Sequence, residues 1–285
     1  MIGIILIIIL DFILLFILFR KNKKYPFGFI DYALIGVTVL LALFISGMLN
    51  GLTEDILLYF MKGKYTLENG IPHWYTIGDK LKYNCIFFIF VAIVEETTKH
   101  ILLFVQIRKK TVRTYLDCVL SFILVSALFS VLEDISYYIN YGSSVGIPRL
   151  ISELAGHIMY SMIVGECYYK YLIQKKIAFM HSYLQEYGYV DKSVVVKTKT
   201  ISIFIKGFSL ALILHFLYNF IVSSFIDEIG YLCIIAYTIV FIVKYIKALK
   251  NPLIVTVVAE KYEKMQFEIK KEEIYSILLN KSRNG

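Results

Sequence analysis

One stretch limits the folds open to this chain more than any other: FFIFVAIVEETTKHILLFVQI, residues 87 to 107. It is long and apolar enough to cross a bilayer as a helix. Near its middle stand four ionisable side chains, Glu95, Glu96, Lys99 and His100. A single charge at the centre of a membrane helix costs at least about 2.5–3.5 kcal/mol on insertion scales. We therefore expect other spans to bring polar partners to this point and to form a buried active site there.

The rest of the chain has the composition of a membrane protein. Of its 285 residues, 58% are hydrophobic, whereas soluble domains contain roughly 45–50% apolar residues. Seven apolar segments can span the bilayer as helices, at about 2–19, 27–49, 83–106, 115–140, 149–173, 201–224 and 228–247. The sequence therefore predicts an all-α polytopic membrane protein with about seven transmembrane helices. We expect the transmembrane helical domain to occupy residues 1 to 250 and a helical cytoplasmic tail to occupy residues 251 to 285.

Basic residues set the expected orientation. Cytoplasmic loops of membrane proteins carry an excess of Lys and Arg. With seven spans and the N-terminus outside, the inner segments hold 23 of the 30 Lys and Arg residues and the outer segments hold five. We expect the N-terminus outside and the C-terminus in the cytoplasm. The Ile- and Lys-rich composition is typical of a prokaryote, so the expected location is a prokaryotic plasma membrane. The same bias in Lys and Arg explains the net charge of +8, so no nucleic-acid partner is predicted.

The connections and the cysteines add two expectations. Residues 50 to 80 form the longest outer loop, part of which is predicted to lie on the membrane surface as an amphipathic segment. A polar inner loop is predicted from the end of the fifth span, near 173, to Thr200. The four cysteines lie in or beside apolar spans without CxxC or Cys/His finger spacing. Neither a disulfide framework nor a structural zinc is therefore predicted.

Four polar residues on different spans fall at one depth. At a rise of 1.5 Å per residue, Glu95, Glu133, His157 and His215 lie roughly 12–18 Å below the outer ends of their predicted helices. Two of these helices run inward and two run outward, so the depths are counted from opposite helix ends. Positions in the sequence alone would not make the four depths equal. It predicts a polar pocket between the third, fourth, fifth and sixth spans, in the outer half or near the middle of the bilayer.

Helical spacing pairs several of these groups, and two chemistries fit them. Glu96 and Lys99 are an i,i+3 pair, so the lysine can partly neutralise the carboxylate; His215 and Asn219 share a face at i,i+4. A carboxylate kept ionised can act as a general base for water while a His and an Asn amide stabilise an oxyanion. Alternatively, two His and a Glu can bind zinc and leave one position open for water. The zinc ligands would then be Glu133, His157 and His215. The sequence does not choose between these chemistries.

Four motifs follow one another along these spans. EETTK at 95 to 99 is an EExxK motif, FSVLE from Phe129 to Glu133 is FxxxE, GHIMYS contains His157, and HFLYN at 215 to 219 is HxxxN. In this order and inside apolar segments, the set resembles the PrsW family of intramembrane proteases. That family shares a clan with the CPBP (Abi) proteins and the type II CAAX prenyl endopeptidases. The resemblance covers about residues 95 to 219 and the helical bundle around them.

The resemblance implies an endopeptidase that cuts a membrane-anchored protein near the outer side of the membrane. Such enzymes are associated with cleaving anti-sigma factors, which releases a stress-response sigma factor in bacteria. It also implies a site. Glu95 and Glu96 would hold the base that activates water, with Glu133, His157, His215 and Asn219 around the substrate carbonyl and Lys99, His100 and Phe129 in support. We expect Glu95 to face the substrate and Glu96 to be held by Lys99 or His100.

The sequence departs from part of the clan, and two other functions compete with proteolysis. The CAAX endopeptidases show EExxxR and FxxxH, whereas here Lys99 stands one residue earlier and Glu133 replaces the His, which argues against prenylated substrates. The clan has been described as both metal-dependent and glutamate-dependent. The first rival is an ion-coupled transporter, which predicts internal repeats and broken helices; no clear repeat is visible, and the chain has only four Pro. The second rival is a non-catalytic scaffold or immunity protein of the same clan.

Overall fold

The computed structural model describes residues 29–68, 71–107, 114–141, 143–191 and 200–224, with isolated positions between 236 and 260. Within these residues it contains five helices and one two-stranded hairpin. Their bounds in chain order are α1 Phe29–Phe60, β1 Tyr65–Glu68, β2 Ile71–Trp74, α2 Ile77–Ile107, α3 Tyr115–Tyr141, α4 Ser143–Glu186 and α5 Thr200–Ser224. The predominance of helix confirms the predicted all-helical class, with the hairpin as a small addition.

Three of the described helices are long and apolar enough to cross a membrane. Their apolar segments are Ala33–Phe60, Cys118–Ile139 and Ile201–Ser224, which match the second, fourth and sixth predicted spans. The helices α2 and α4 cover the third and fifth predicted spans and carry most of the polar site residues. The first and seventh predicted spans lie outside the described residues or touch them only at isolated positions, as does the tail after residue 250. The seven-span count, the orientation and the division at residue 250 therefore stay predictions.

The helix α3 lies at the centre of the bundle. Its apolar segment is 78% buried inside the protein, against 28% for the segment in α1 and 22% for the segment in α5. A helix that is apolar on all sides can be buried on all sides, and α3 packs against α1, α2 and α4. Consequently α1 and α5 keep apolar outer faces, which is the arrangement expected where lipid covers the outside of a bundle.

Two close contacts fix α4 against its neighbours. A Cβ atom at Gly207 of α5 would collide with the side chain of Cys167 on α4, so the absence of a side chain lets these helices approach closely. On the other side, Ser126 Oγ of α3 donates a hydrogen bond to the backbone oxygen of His157 at 2.7 Å. These contacts set the positions of the helices that carry His157 and His215.

The inner loop predicted after residue 173 is wrong over its first half, because α4 continues to Glu186. The reason is a further apolar stripe at helical spacing. Ile173, Ile177, Met180 and Leu184 are all buried, and residues spaced three and four apart lie on one face of a helix. The polar residues between them misled the sequence interpretation.

The outer loop predicted for residues 50 to 80 also differs from the structure. The helix α1 continues to Phe60, and the antiparallel strands β1 and β2 follow, with Tyr65 opposite Trp74. No separate amphipathic segment is present in the described part of this loop. The segment LTEDILLYF extends a helix that has already formed, and a helix is easier to extend than to nucleate.

The hairpin is attached to the start of α2. Lys64 Nζ lies 3.0 Å from Asp79 Oδ1, and the Thr76 hydroxyl donates to Asp79 Oδ2 at 2.7 Å while accepting from the Asp79 backbone N–H at 3.1 Å. The Thr76 hydrogen bond and then Lys64 lower the pKa of Asp79. Trp74 packs between Tyr65 and Tyr83, with ring centroids 5.3 and 4.8 Å apart. The hairpin is thereby joined to the helix that carries the opening motif.

Candidate active site

The adjacent glutamates of α2 have different surroundings. Glu96 is completely buried, and its Oε1 receives Lys99 Nζ at 2.6 Å and His215 Nδ1 at 2.8 Å. Glu95 points instead toward a cavity that it helps to line. Neighbouring residues on a helix are about 100° apart, so one faces the packed interior while the other faces open space. The predicted pairing of Glu96 with Lys99 is present.

The contact of His215 with Glu96 determines which ring nitrogen of His215 keeps a free lone pair. A carboxylate accepts hydrogen bonds, so Nδ1 carries the proton that His215 donates to Glu96 and Nε2 keeps its lone pair in the neutral ring. His215 Nε2 lies 3.7 Å from Glu95 Oε2 and has no hydrogen-bond partner among the described residues. Tyr160 stacks on the His215 ring, with centroids 5.0 Å apart and planes 13° apart. The lone pair of Nε2 is therefore held beside Glu95.

His157 links the buried lysine to two further carboxylates. Its Nδ1 lies 2.8 Å from Lys99 Nζ, and its Nε2 lies 3.3 Å from Glu133 Oε2 and 3.8 Å from Glu153 Oε2. Phe129 packs edge-on against the His157 ring at 5.7 Å, and Lys99 Nζ lies 4.8 Å from the centre of the Phe129 ring. Phe129 thus supports both the lysine and the histidine.

His100 has a different environment from the other two histidines of the cluster. Its Nδ1 lies 2.6 Å from the backbone oxygen of Glu96, and its Nε2 lies 3.2 Å from Ser161 Oγ. Phe122 packs against the ring with centroids 5.5 Å apart. His100 is buried and is absent from the cavity wall, so its contacts brace α2 against α4.

A cavity of about 340 Å³ lies between the five described helices. The carboxylate and amide side chains in its wall are those of Asn50, Glu54, Glu95, Glu133, Glu153 and Asn219. The predicted residues Glu95, Glu133 and Asn219 therefore reach this cavity together. His157 and His215 lie immediately behind the wall, in contact with Glu133 and Glu95. The cavity thus has a carboxylate in its wall and a histidine lone pair directly behind that carboxylate.

Sequence reasoning missed the contribution of α1. Asn50 Nδ2 donates a hydrogen bond to Glu95 Oε1 at 3.1 Å, and Glu54 lines the same cavity one helical turn later. Both residues lie in the second half of a long, mostly apolar helix. Their i,i+4 spacing was the sequence pattern that could have indicated a shared polar face. Tyr160 and Glu153, on either side of His157 in α4, complete the surroundings of the histidines.

One trio in the site has the donors for a metal ion. Among the described residues, Glu95, His157 and His215 each offer a ligand atom, and these atoms all lie within 4.8 Å of one another. His215 Nε2 is buried and lacks a hydrogen-bond partner in the described part of the chain, as expected of an atom that can receive a metal, whereas His157 Nε2 lies 3.3 Å from Glu133 Oε2. Two histidines and a carboxylate suit a zinc with an open position. Glu133, from the predicted ligand set, is outside this trio.

Comparison with known proteins identifies a family for the chain. The model of a family described as PrsW family intramembrane metalloprotease matches residues 35–246. The match covers well over half of the chain and includes every site residue described above. No curated protein and no solved structure matches the chain. The chain therefore belongs to the PrsW family of intramembrane metalloproteases.

Proposed function

We propose that this intramembrane peptidase hydrolyses a peptide bond of a membrane-anchored protein near the outer side of a prokaryotic plasma membrane, with anti-sigma factors as its substrate class. Family membership supports the peptidase activity and does not favour a transporter. The observation that carries the proposal is the position of Glu95, whose carboxylate lines the cavity and faces the lone pair of His215 at 3.7 Å.

Glu95 is the proposed base. Its Oε1 accepts a hydrogen bond from Asn50, which fixes the carboxylate at the cavity wall, and a carboxylate there can take a proton from water. Asn219 lines the same cavity. Its amide can donate to the oxygen of a substrate carbonyl as negative charge develops on it.

Glu96 and Lys99 are proposed to position His215 beside Glu95. Glu96 holds His215 through Nδ1, and Lys99 balances the buried negative charge at 2.6 Å. An oriented histidine loses less freedom when the substrate arrives, which lowers the barrier to reaction. Neither side chain lines the cavity, so their proposed role is support.

Glu133 and His157 are proposed to deliver the proton that the leaving nitrogen requires. Glu133 lines the cavity, and its Oε2 lies 3.3 Å from His157 Nε2. Cleavage of an amide requires a proton on the leaving nitrogen, because an amide anion is a poor leaving group. A carboxyl group that shares a proton with His157 can deliver it from the cavity wall.

The family description implies a metal ion, and the trio of Glu95, His157 and His215 fits one. A bound zinc would supply Lewis acidity and lower the pKa of a water molecule to about 7. His157 Nε2 can serve as a ligand only if Nδ1 carries the ring proton. That N–H would face the Lys99 ammonium at 2.8 Å, and an ammonium has no acceptor, so the Lys99 contact favours the other tautomer. With its proton on Nε2, His157 donates to Glu133 instead. The metal-dependent and glutamate-only arrangements thus differ in the proton position on His157 and in the role of Glu95, which would be a ligand in the first and the base in the second.

The test is cleavage of a single-pass reporter protein in liposomes. We expect the wild type to cleave it, and Glu95→Gln and His215→Ala to reduce the rate by about a hundredfold or more. Glu68→Gln and His73→Ala are matched controls, because both residues lie on the exposed hairpin, and they should cleave normally. Full activity of Glu95→Gln would overturn the proposal. Loss of activity with a chelator and its recovery with zinc would establish the metal-dependent arrangement.

A further inference from the structure

One face of α1 forms a continuous wall of the cavity. The wall residues on this helix follow one another at alternating spacings of three and one, as Leu43, Ser46, Gly47, Asn50, Gly51 and Glu54. This spacing places them on a single helical face. From Ser46 to Gly51, every residue on that face is small or carries an amide, although the same turns expose large apolar side chains elsewhere.

The two glycines leave open space at the wall. Gly47 and Gly51 are exposed, and within the described part of the chain no packed neighbour lies within 4 Å of the place where a Cβ would stand. A glycine inside a helix is less stable than alanine by roughly 0.5–1 kcal/mol. The described neighbours give no packing reason for that loss. What the glycines do provide is room for another backbone to come close to α1 beside Glu95.

Two polar groups beside this space lack hydrogen-bond partners among the described residues. Asn50 donates its amide hydrogen to Glu95, and its Oδ1 is buried without a hydrogen bond among the described residues. Asn219 of α5 lines the same cavity, is only 9% exposed and makes no hydrogen bond within the described part of the chain. A buried polar group without a partner costs about 1–3 kcal/mol, so a ligand with both a donor and an acceptor fits here.

We propose that this face of α1 is the docking groove for an unwound segment of the substrate, with a backbone N–H near the scissile bond donating to Asn50 Oδ1. The inference rests on the proposed function. A helical substrate keeps its backbone N–H and C=O groups bonded to one another, and unwinding inside a bilayer leaves them unpaired at a cost of several kcal/mol. Asn50, Asn219 and the open glycine surface supply replacements. The substrate class is therefore a membrane segment that unwinds easily, with Gly, Pro or β-branched residues at the cleavage site.

The test fills the groove without disturbing the packing of the enzyme. Gly47→Leu and Gly51→Leu place a side chain in the open space, whereas Gly36→Leu is the matched control, since Gly36 is on the same helix, has equally open surroundings and does not line the cavity. We expect the first two variants to raise KM for the reporter by about tenfold with kcat within about twofold. Their melting temperatures should not fall, and Gly36→Leu should match the wild type. Unchanged KM in both groove variants would overturn the inference.

A crosslinking arm separates this inference from the proposed function. A photoreactive residue at position 51 should capture the reporter, with the adduct mapping to its unwound segment, and the same residue at position 36 should capture much less. Capture reports on binding whether or not the reporter is cleaved. Cleavage without selective capture at position 51 would reject the groove and retain the peptidase, whereas selective capture without cleavage would retain the groove and reject the proposed chemistry.

Discussion

His215 donates its Nδ1 hydrogen to Glu96 Oε1 across 2.8 Å and thereby joins α5 to α2 at the centre of the bundle. The same oxygen receives Lys99 Nζ at 2.6 Å, so one buried carboxylate orients a histidine and balances a lysine. A carboxylate behind a histidine is the usual arrangement around catalytic and metal-binding imidazoles, because it fixes the tautomer and increases the basicity of the other nitrogen. The position of His215 Nε2 beside Glu95 depends on this pair.

Replacing the buried carboxylate should destabilise the protein. Glu96→Gln leaves the Lys99 ammonium in the interior without its charge partner, and breaking a buried pair in this way costs about 3–5 kcal/mol. Thermal unfolding in detergent measures the loss. The double variant Glu96→Gln/Lys99→Met removes the unbalanced charge and should recover most of the stability without recovering cleavage. A double variant no more stable than Glu96→Gln would show that the pair does not act as described.

Asn50 should influence the rate through Glu95. Asn50→Ala removes a hydrogen bond of 3.1 Å to the Glu95 carboxylate, and hydrogen bonds to charged groups contribute about 1.5–3 kcal/mol. We expect kcat/KM to fall by ten- to about a hundredfold, and Asn50→Asp, which places a second negative charge there, to be at least as impaired. Asn84→Ala is the control, since it also removes a buried amide contact, to Ser224 at 3.0 Å. Equal losses in both alanine variants would point to a general packing effect.

The space provided by Gly156 should matter for the orientation of His215. A Cβ at this position would lie 3.0 Å from the hydroxyl of Tyr160, the residue that stacks on His215. Gly156→Ala should therefore displace the tyrosine ring and lower kcat by about tenfold, as a misplaced catalytic group does. Tyr160→Phe removes the hydroxyl and should partly restore activity in the double variant. No rescue in the double variant would contradict this account of Gly156.

The contact between α4 and α5 should be sensitive to one methyl group. Gly207→Ala forces a side chain against Cys167, and overpacking of this kind costs typically about 1–3 kcal/mol. Melting temperature in detergent should fall, and Gly207→Ala/Cys167→Gly should recover part of the loss. Gly36→Ala is the control, because that glycine has open surroundings and alanine there should raise stability slightly. A Gly207→Ala variant as stable as wild type would contradict the close contact.

The sequence allowed the centre of the site to be predicted because its residues are costly to bury. Glu95, Glu133, His157 and His215 stand out in apolar spans, and helical rise alone brings them to one depth. The contribution of Asn50 was not predictable in the same way. Its role depends on the rotation of α1 about its axis, and in this mostly apolar helix only the i,i+4 spacing of Asn50 and Glu54 indicates that rotation.

The fold was predictable where apolar runs are long. The prediction was less reliable for short elements and for the ends of helices. The hairpin had a usable pattern, the Asn-Gly pair at 69 and 70 between YTLE and IPHW, because this dipeptide favours the turn that connects two antiparallel strands. The extension of α4 to Glu186 was hidden by charged residues on its polar face. In both places a tertiary contact stabilises an element that the local composition does not predict. Trp74 packs against Tyr83, and Leu184 packs into the hydrophobic core.

The most direct measurement is mass spectrometry of the reporter after cleavage in water enriched in ¹⁸O. If Glu95 activates water for peptide hydrolysis, the wild type will generate a new C-terminal carboxyl group that contains ¹⁸O, located in the outer part of the membrane segment. The Glu95→Gln enzyme will generate almost none. An equal yield of the labelled carboxyl group from Glu95→Gln, or no new terminus from the wild type, would contradict the account.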